Sequence, residues 1–148
     1  MKIIIQKAKV ENSKEIRELE KKIWKEECTN QYDMPMFIRF GYVFIAKDNL
    51  KIIGAVTSFK TNKNEVYVSD LFVDSKYRKL GIGQKLKERL LKEVKGMNVI
   101  SFLDPKNTAT INLHKKIGSK IVSKIKNAYG LKEKSLETGD RLLVRTKN

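Results

Sequence analysis

The segment Arg78-Lys-Leu-Gly81-Ile-Gly83 has the residue types and the spacing of a loop that binds phosphate. Its two glycines allow a tight turn in which backbone N–H groups point outward, and Arg78 adds a fixed positive charge. A helix that begins at such a loop contributes free N–H groups and the positive end of its dipole. The segment therefore predicts a pyrophosphate site, although two glycines at this spacing also serve as an ordinary strand-to-helix turn.

The flanking residues predict the elements that must position this loop. Residues 66–73 are apolar and rich in β-branched side chains, which is typical of a buried strand, and Leu86, Leu90, Leu91 and Val94 recur at helical spacing. A dinucleotide-binding loop would need a third glycine, and a P-loop would need Gly-Lys-Ser/Thr; the sequence has neither. The loop therefore belongs to another class of phosphate site.

This strand, loop and helix resemble motif A of the GCN5-related N-acetyltransferases, in which the pyrophosphate of acetyl-coenzyme A rests on the glycine loop. A second segment has the spacing of that family's Asn-x-x-Ala-Ile-x-Leu-Tyr-x-Lys-Leu-Gly-Phe motif. The residues that fall at this spacing are Asn107, Thr110, Ile111, Leu113, Lys116, Ile117 and Gly118. Two such matches in the right order indicate membership of the family.

The resemblance implies that acetyl-coenzyme A is the cosubstrate, and it implies which residues hold it. Backbone groups of Leu71, Phe72 and Val73 would bind the pantetheine arm. Asn107 would hydrogen-bond the same arm, and it is equally placed to cap the helix that follows it. The pyrophosphate would lie on the loop formed by Arg78, Lys79, Leu80, Gly81, Ile82, Gly83 and Gln84. No metal is implied.

Acetyl transfer to an amine also needs groups that move protons, because an alkyl ammonium has a pKa of about 10 and must lose a proton before it attacks. Asp70 precedes Val73 by three residues, at the reacting end, and is the candidate base or substrate-orienting residue. His114 stands where the family usually has a tyrosine near the coenzyme sulfur, and it is the candidate acid for the departing thiolate. Asp70 could instead pair within the fold, and His114 could instead pack on its helix.

An acidic and aromatic stretch near the N-terminus predicts where the amine would bind. Glu26, Glu27, Tyr32 and Asp33 lie between two predicted helices, in a chain that is otherwise basic. Such a group would attract a cationic amine, carried by a small molecule or a peptide. The same residues are also consistent with a solvated loop.

The length and composition of the chain set further limits. A chain of 148 residues predicts one N-acetyltransferase domain over residues 1–148. The sequence contains no stretch typical of a signal peptide or a membrane span, and the single cysteine can form no internal disulfide, so we expect a cytoplasmic protein. We expect Cys28 to be a buried small side chain rather than a nucleophile.

The net charge of +15 raises the alternative of nucleic-acid binding. The lysines are spread along the whole chain and interleaved with glutamates, and no basic block carries aromatic residues. We therefore expect no specific nucleic-acid partner and no membrane partner. The last two predicted strands could pair with a second copy of the chain, which leaves a homodimer open.

The sequence predicts the element order βααβββαβαββ, which gives an α+β fold with a mixed, mostly antiparallel sheet flanked by helices. This arrangement matches the fold of the GCN5-related N-acetyltransferases (the GNAT fold). Asn12 or Ser13 would cap the first helix, with Glu15 completing a capping box. The last two strands, residues 121–125 and 141–144, would be joined by a long polar loop.

The leading functional hypothesis is an acetyl-coenzyme A dependent N-acetyltransferase that moves the acetyl group to an amine by direct transfer in a ternary complex. The alternative is a coenzyme-binding regulatory module without transferase activity. Two departures from the family motivate this alternative: His114 replaces the usual tyrosine, and Phe102 stands where some members carry a glutamate.

Overall fold

The computed structural model describes residues 1–130 and 139–148 as a seven-stranded sheet packed against helices. The strands are β1 (Ile3–Lys7), β2 (Tyr42–Asp48), β3 (Lys51–Lys60), β4 (Val66–Val73), β5 (Val99–Leu103), β6 (Lys120–Ile125) and β7 (Arg141–Thr146). The helices are α1 (Ser13–Trp24), α2 (Asp33–Phe40), α3 (Ile82–Glu93) and α4 (Thr108–Lys116). This order confirms the predicted fold class. Residues 131–138 of the predicted polar loop lie outside the described residues.

The strands follow the order β1-β2-β3-β4-β5-β7-β6, and in the described part of the chain only β4 and β5 pair in parallel. That pairing ends at Val68 and Ser101. Both strands continue, β4 to Val73 and β5 to Leu103, without pairing to each other. The sheet is therefore open between the C-terminal ends of β4 and β5.

Hydrophobic cores on opposite faces of the sheet hold the helices. On the α3 face, the apolar stripe of α3 packs against inward-pointing strand residues; this core includes Phe44, Val66, Val68, Leu86 and Leu90. On the α1 face, α1 and α2 pack together against the sheet; this core includes Ile16, Leu19, Met34, Ile38 and Phe72. Every helix in the described ranges is too short or too polar to cross a membrane.

A β-bulge in β4 decides which face each of its side chains occupies. Thr57 and Ser58 are consecutive on β3 and pair with Asp70 and Val68, so no residue of β3 lies opposite Ser69 in the ladder. Val68 and Leu71 both pack on the α3 face, although a regular strand would point them to opposite faces. The bulge therefore turns Asp70 toward the α1 face, where Trp24 donates a hydrogen bond to it.

The start of α1 differs from the predicted capping box. The side chain of Asn12 accepts a hydrogen bond from the backbone N–H of Lys9, at 2.8 Å, and does not cap α1. Glu15 accepts the backbone N–H of Ile52 on β3, at 2.7 Å, instead of reaching back to the helix start. The capping prediction is wrong because the carboxylate of Glu15, which the local pattern assigns to the cap, binds the backbone of β3 instead.

Candidate functional site

A cleft of about 660 Å³ lies between the loop that joins β4 to α3 and helix α4. One side is formed by Val73, Tyr77, Arg78, Lys79, Gly81, Ile82, Gly83 and Gln84, and the other by Ala109, Thr110, Asn112, Leu113 and Lys116. The fold thus brings together the segments that carry the two sequence motifs. Leu80 was grouped with this loop from the sequence, but it is exposed and does not line the cleft.

The cleft is positively charged. Its lining contains Arg78, Lys79 and Lys116 and no carboxylate from the described residues. None of these three cations forms a salt bridge within residues 1–130 and 139–148. The N-terminus of α3 has no side-chain cap, so its first N–H groups also face the loop region. This lining fits a pyrophosphate.

The two glycines of the loop have different structural tasks. Gly81 immediately precedes α3 with a φ of +74°, a conformation that other residues adopt only with strain. Gly83 lies in the first turn, and a Cβ atom there would be 3.5 Å from Leu113 Cδ2 and 3.9 Å from Val73 Cγ2. A side chain at Gly83 would therefore fill space that belongs to the cleft.

The predicted pantetheine-binding residues occupy different places. Val73 lines the cleft, whereas the side chain of Phe72 is buried in the core of the α1 face. The backbone N–H of Leu71 donates to the carboxylate of Asp70, at 2.9 Å. The side chain of Asn107 accepts the backbone N–H of Thr110, at 3.1 Å, so the capping alternative for Asn107 is observed.

His114 is buried on α4 and does not line the cleft. Burial, together with the nearby charge of Lys87, lowers the pKa of His114 to about 4. Its Nδ1 atom lies 3.5 Å from Ser119 Oγ, which in turn is 2.6 Å from Thr146 Oγ1. A histidine with this pKa is uncharged near neutral pH. The geometry therefore favours the packing alternative over the predicted acid role.

Sequence reasoning missed Lys87, which is fully buried on α3. Its ammonium donates to Ser101 Oγ, at 3.3 Å, at the last pair before β4 and β5 separate. Burial lowers the pKa of Lys87 to about 7. A signal was present in the sequence, because Lys87 lies three residues before Leu90 and four before Leu91, within the apolar stripe of α3.

A second cavity, of about 330 Å³, lies on the α1 face beside Asp70. Its lining comes from α1, the connection to α2, α2 itself and β4, and consists of Glu20, Trp24, Glu26, Cys28, Thr29, Phe37, Ser69 and Asp70. We call it the acidic cavity. It shares only β4 with the cleft.

Of the four residues predicted to bind the amine, only Glu26 lines the acidic cavity. Glu27 forms a salt bridge with Arg17, and the ring of Tyr32 is exposed. Asp33 begins α2 and accepts a hydrogen bond from the side chain of Asn30, at 2.8 Å. The structure thus brings Glu26 together with Asp70 and leaves the other three outside the cavity.

Asp70 belongs to a pair of neighbouring carboxyl groups. It hydrogen-bonds Glu20, which is 1% exposed on α1, and its Oδ2 atom accepts the Nε1–H of Trp24, at 3.0 Å. Burial, followed by the hydrogen bond and the negative charge of Glu20, raises the pKa of Asp70 to about 8. At this pKa, Asp70 is largely protonated near neutral pH, and its proton lies in the hydrogen bond to Glu20.

Glu20 was missed, although its position in the sequence marks it. Ile16, Leu19 and Ile23 form the apolar stripe of α1, and Glu20 lies within that stripe. A carboxyl group at such a position must find a polar partner inside the fold. Asp70 is that partner, on a strand that comes 50 residues later in the chain.

Cys28 is exposed at the acidic cavity, so the expectation of a buried side chain is wrong. Partial desolvation of its thiol, together with the negative charges of Glu20, Asp70 and Glu26, raises the pKa of Cys28 to about 11. The thiol is therefore protonated near neutral pH, which argues against a nucleophilic role, as the sequence suggested.

The opening between β4 and β5 connects the two faces of the sheet. β4 contributes Asp70 to the acidic cavity and, three residues later, Val73 to the cleft. Because β5 does not pair with this part of β4, a molecule in the cleft could reach the cavity through the gap. The unpaired edge of β4 also offers main-chain groups to an extended ligand.

A sequence profile of the acetyltransferase (GNAT) family matches residues 12–118, a range that includes both motifs and the lining of both cavities. The chain belongs to the GNAT family. This confirms the family predicted from the sequence, and it agrees with acetyl-coenzyme A as the cosubstrate. A search of curated protein sequences finds no match to the chain.

Solved GNAT-type structures share this fold at low sequence identity. Ard1 from Thermoplasma volcanium has a TM-score of 0.84 and 16% identity, over 99% of this chain and 98% of that one. YncA from Salmonella typhimurium, solved with acetyl-CoA, has a TM-score of 0.83 and 16% identity, over 99% and 94%. Naa50 from Arabidopsis thaliana, solved with the bisubstrate analogue CoA-Ac-MVNAL, has a TM-score of 0.81 and 19% identity, over 100% of both chains.

Proposed function

We propose that this chain is an N-acetyltransferase that passes the acetyl group of acetyl-coenzyme A directly to an amine while both substrates are bound. The observation that carries the proposal is the opening between β4 and β5. β4 borders this opening and presents Val73 to the cationic cleft on one face of the sheet and Asp70 to the acidic cavity on the other. Two reactants held in line across such a gap need no further loss of translational freedom to react.

The residues of the cleft fit the coenzyme. Arg78, Lys79 and Lys116 would neutralise its phosphates, and the free N–H groups at the start of α3 would bind the pyrophosphate. The missing side chain at Gly83 leaves room between α3 and α4. Apart from the N–H of Leu71, which donates to Asp70, the main chain of residues 71–73 would hold the extended arm along the free edge of β4. When bound there, the coenzyme supplies the activated thioester.

Asp70 is the proposed base. A carboxylate whose pKa is about 8 accepts a proton from an ammonium, whose pKa is about 10, far better than an ordinary aspartate does. Hydrogen bonds from Trp24 and from the backbone of Leu71 hold the carboxyl group in position. Glu20 raises the affinity of Asp70 for the proton and helps to retain the ammonium in the cavity.

No side chain is assigned as the acid, because His114 is buried and uncharged near neutral pH. A thiol has a pKa of about 8.5, so a thiolate is a good leaving group and can take its proton from water. The raised pKa of Asp70 supports the transferase over a coenzyme-binding module, because such a module needs no proton acceptor beside the opening.

The proposal is tested by following free thiol release from acetyl-coenzyme A with a panel of primary amines. We expect release above the hydrolysis background with at least one amine. Asp70→Asn should reduce it about a hundredfold or more while coenzyme affinity is retained, because general base catalysis is worth that much. Asp33→Asn is the matched control, since Asp33 lies outside the cavity. Tight coenzyme binding with no thiol release from any amine would contradict the proposal.

A further inference from the structure

A row of aromatic rings leads away from the acidic cavity. It begins at Phe37 in the cavity lining and continues through Phe59, Tyr67 and Phe102 to Tyr129. Successive ring centroids are 5.9, 5.5, 5.8 and 6.4 Å apart. Rings at these distances are in direct contact, and all five are partly exposed. We call this continuous apolar surface the aromatic row.

The register of the sheet places the row and the carboxyl pair on one surface. Phe59 on β3 is the partner of Tyr67 on β4, and Phe102 lies on the neighbouring strand β5. Tyr67 and Asp70 are three residues apart, and the bulge between them turns both toward the α1 face. A molecule whose amine enters the cavity would therefore meet the aromatic row with the rest of its body.

The two ends of this surface carry opposite charges. At the cavity end, the lining contains three acidic side chains, Glu20, Glu26 and Asp70. At the far end, the guanidinium of Arg141 lies 5.1 Å from the centroid of the Tyr129 ring. An acceptor with a second cation on the part that lies along the row would bring that cation toward Arg141, which would repel it. The surface therefore selects for an acceptor that carries its positive charge at the cavity end and none at the far end.

We propose that the acceptor is a primary monoamine attached to an apolar body, with its ammonium beside Glu20 and Asp70 and its apolar part on the aromatic row. This inference rests on the proposed function and names the class of its acceptor. Two sources share the chemistry: a free arylalkylamine, and the N-terminal residue of a polypeptide that carries a large apolar side chain. Polyamines and amino sugars lack the apolar body, and their extra polar groups would be desolvated without partners.

The single tryptophan of the chain makes acceptor binding measurable without acetyl transfer. Trp24 lines the acidic cavity and donates to Asp70, so an amine in the cavity should change its fluorescence. We expect 2-phenylethylamine and a peptide beginning with leucine to bind about tenfold more tightly than spermidine or the same peptide beginning with glycine, because burial of an apolar side chain has that effect. Equal binding of all four probes, or tighter binding of spermidine, would overturn the inference.

Tyr67→Thr tests the aromatic row with little risk to the strand, since threonine favours strands. The ratio of kcat/KM for the leucine peptide to that for the glycine peptide should fall about tenfold, with KM for acetyl-coenzyme A unchanged. Phe40→Thr is the matched control, because Phe40 is 81% exposed and lies outside the row. An unchanged ratio in Tyr67→Thr would show that the aromatic row does not contribute to acceptor recognition.

The same assays separate this inference from the proposed function. Faster turnover of the leucine peptide than of 2-phenylethylamine assigns the site to polypeptide N-termini, and the reverse assigns it to free amines. Thiol release that is fastest with spermidine overturns the inference and leaves the transferase intact. Saturable binding of the apolar amines without thiol release supports the amine site and contradicts the transferase.

Discussion

The cleft and the acidic cavity lie on the two sides of one strand, but they are built in opposite ways. The cleft consists of exposed cations and uncovered backbone, contributed largely by a short segment that includes Gly81 and Gly83. The cavity is lined by carboxyl groups from distant elements, above all the buried Glu20 and the half-buried Asp70. A site for a polyanion can be made from local backbone and mobile cations, whereas a site that moves protons needs fixed side chains with shifted pKa values.

The pH dependence of turnover is the strongest test of this contrast. Because the pKa of Asp70 is raised to about 8 and the base must be ionised, kcat/KM should rise about tenfold per pH unit below pH 8 and level off above it. Glu20→Gln removes a negative charge and a hydrogen bond that raise this pKa, so the midpoint should move to lower pH. Measurement of kcat/KM as a function of pH in both proteins checks this. An unchanged midpoint would show that Glu20 does not influence the pKa of the base.

Lys87 tests the same contrast from the other face of the sheet. It is a buried cation on the α3 face, where the cations of the cleft are exposed. Its pKa is lowered from 10.5 to about 7, so the folded state binds fewer protons than the unfolded state between these values, and stability should rise with pH across that window. His114, which faces it from α4, stays uncharged over the same range because its pKa is lowered to about 4.

Lys87→Met should therefore stabilise the protein by about 2 kcal/mol below pH 7, and this advantage should shrink toward pH 10. Thermal or urea unfolding at several pH values measures it. Lys85→Met, at an exposed position of the same helix, is the control and should have little effect at any pH. A gain that is the same at every pH would show that packing, and not charge, explains it.

The exposed cations of the cleft should act on binding alone. Arg78→Ala and Lys116→Ala should each weaken coenzyme binding about tenfold at low salt, because charge-assisted hydrogen bonds to phosphate are lost, and the pH profile of turnover should stay unchanged. Lys115→Ala is matched to Lys116→Ala, since Lys115 is exposed on α4 outside the cleft. Isothermal titration with coenzyme A provides the measurement. A shifted pH profile in either cleft variant would contradict the separation of the two sites.

The smallest predicted effects come from the two glycines and differ in kind. Gly81→Ala should destabilise the fold by about 1 kcal/mol, because alanine is strained at a φ of +74°. Gly83→Ala should leave the unfolding transition nearly unchanged, because its methyl would meet Leu113 at an ordinary 3.5 Å, but it should weaken coenzyme binding several-fold. Thermal unfolding and coenzyme titration on both variants distinguish the two roles, and identical behaviour would refute the assignment.

The sequence predicted the element order and the family, and it singled out the loop that lines the cleft, because these depend on short-range patterns. The residues from Arg78 to Gly83 are contiguous, and the strand and helix around them have clear periodicities. The same local approach failed for the cap of α1, since Glu15 accepts a hydrogen bond from the backbone N–H of Ile52, 37 residues away.

The acidic cavity was only half predicted, for the same physical reason. Asp70 was identified by its place three residues before Val73, but its partner Glu20 comes from a helix that only the folded chain brings near. Three of the four acceptor residues chosen by composition, Glu27, Tyr32 and Asp33, satisfy local contacts or face solvent instead. The more informative signal was a charge within an apolar helical stripe, which marks both Glu20 and Lys87.

The bulge at Ser69 lets β4 hold one residue more than its pairing with β3 requires. Deletion of Ser69 would restore strict alternation and keep Val68 and Leu71 on the α3 face, with Asp70 on the α1 face. Deletion of Phe72 would instead leave the bulge in place and turn Val73 from the cleft side toward α1. In a selection for function, the loss of Ser69 should therefore be tolerated better than the loss of Phe72.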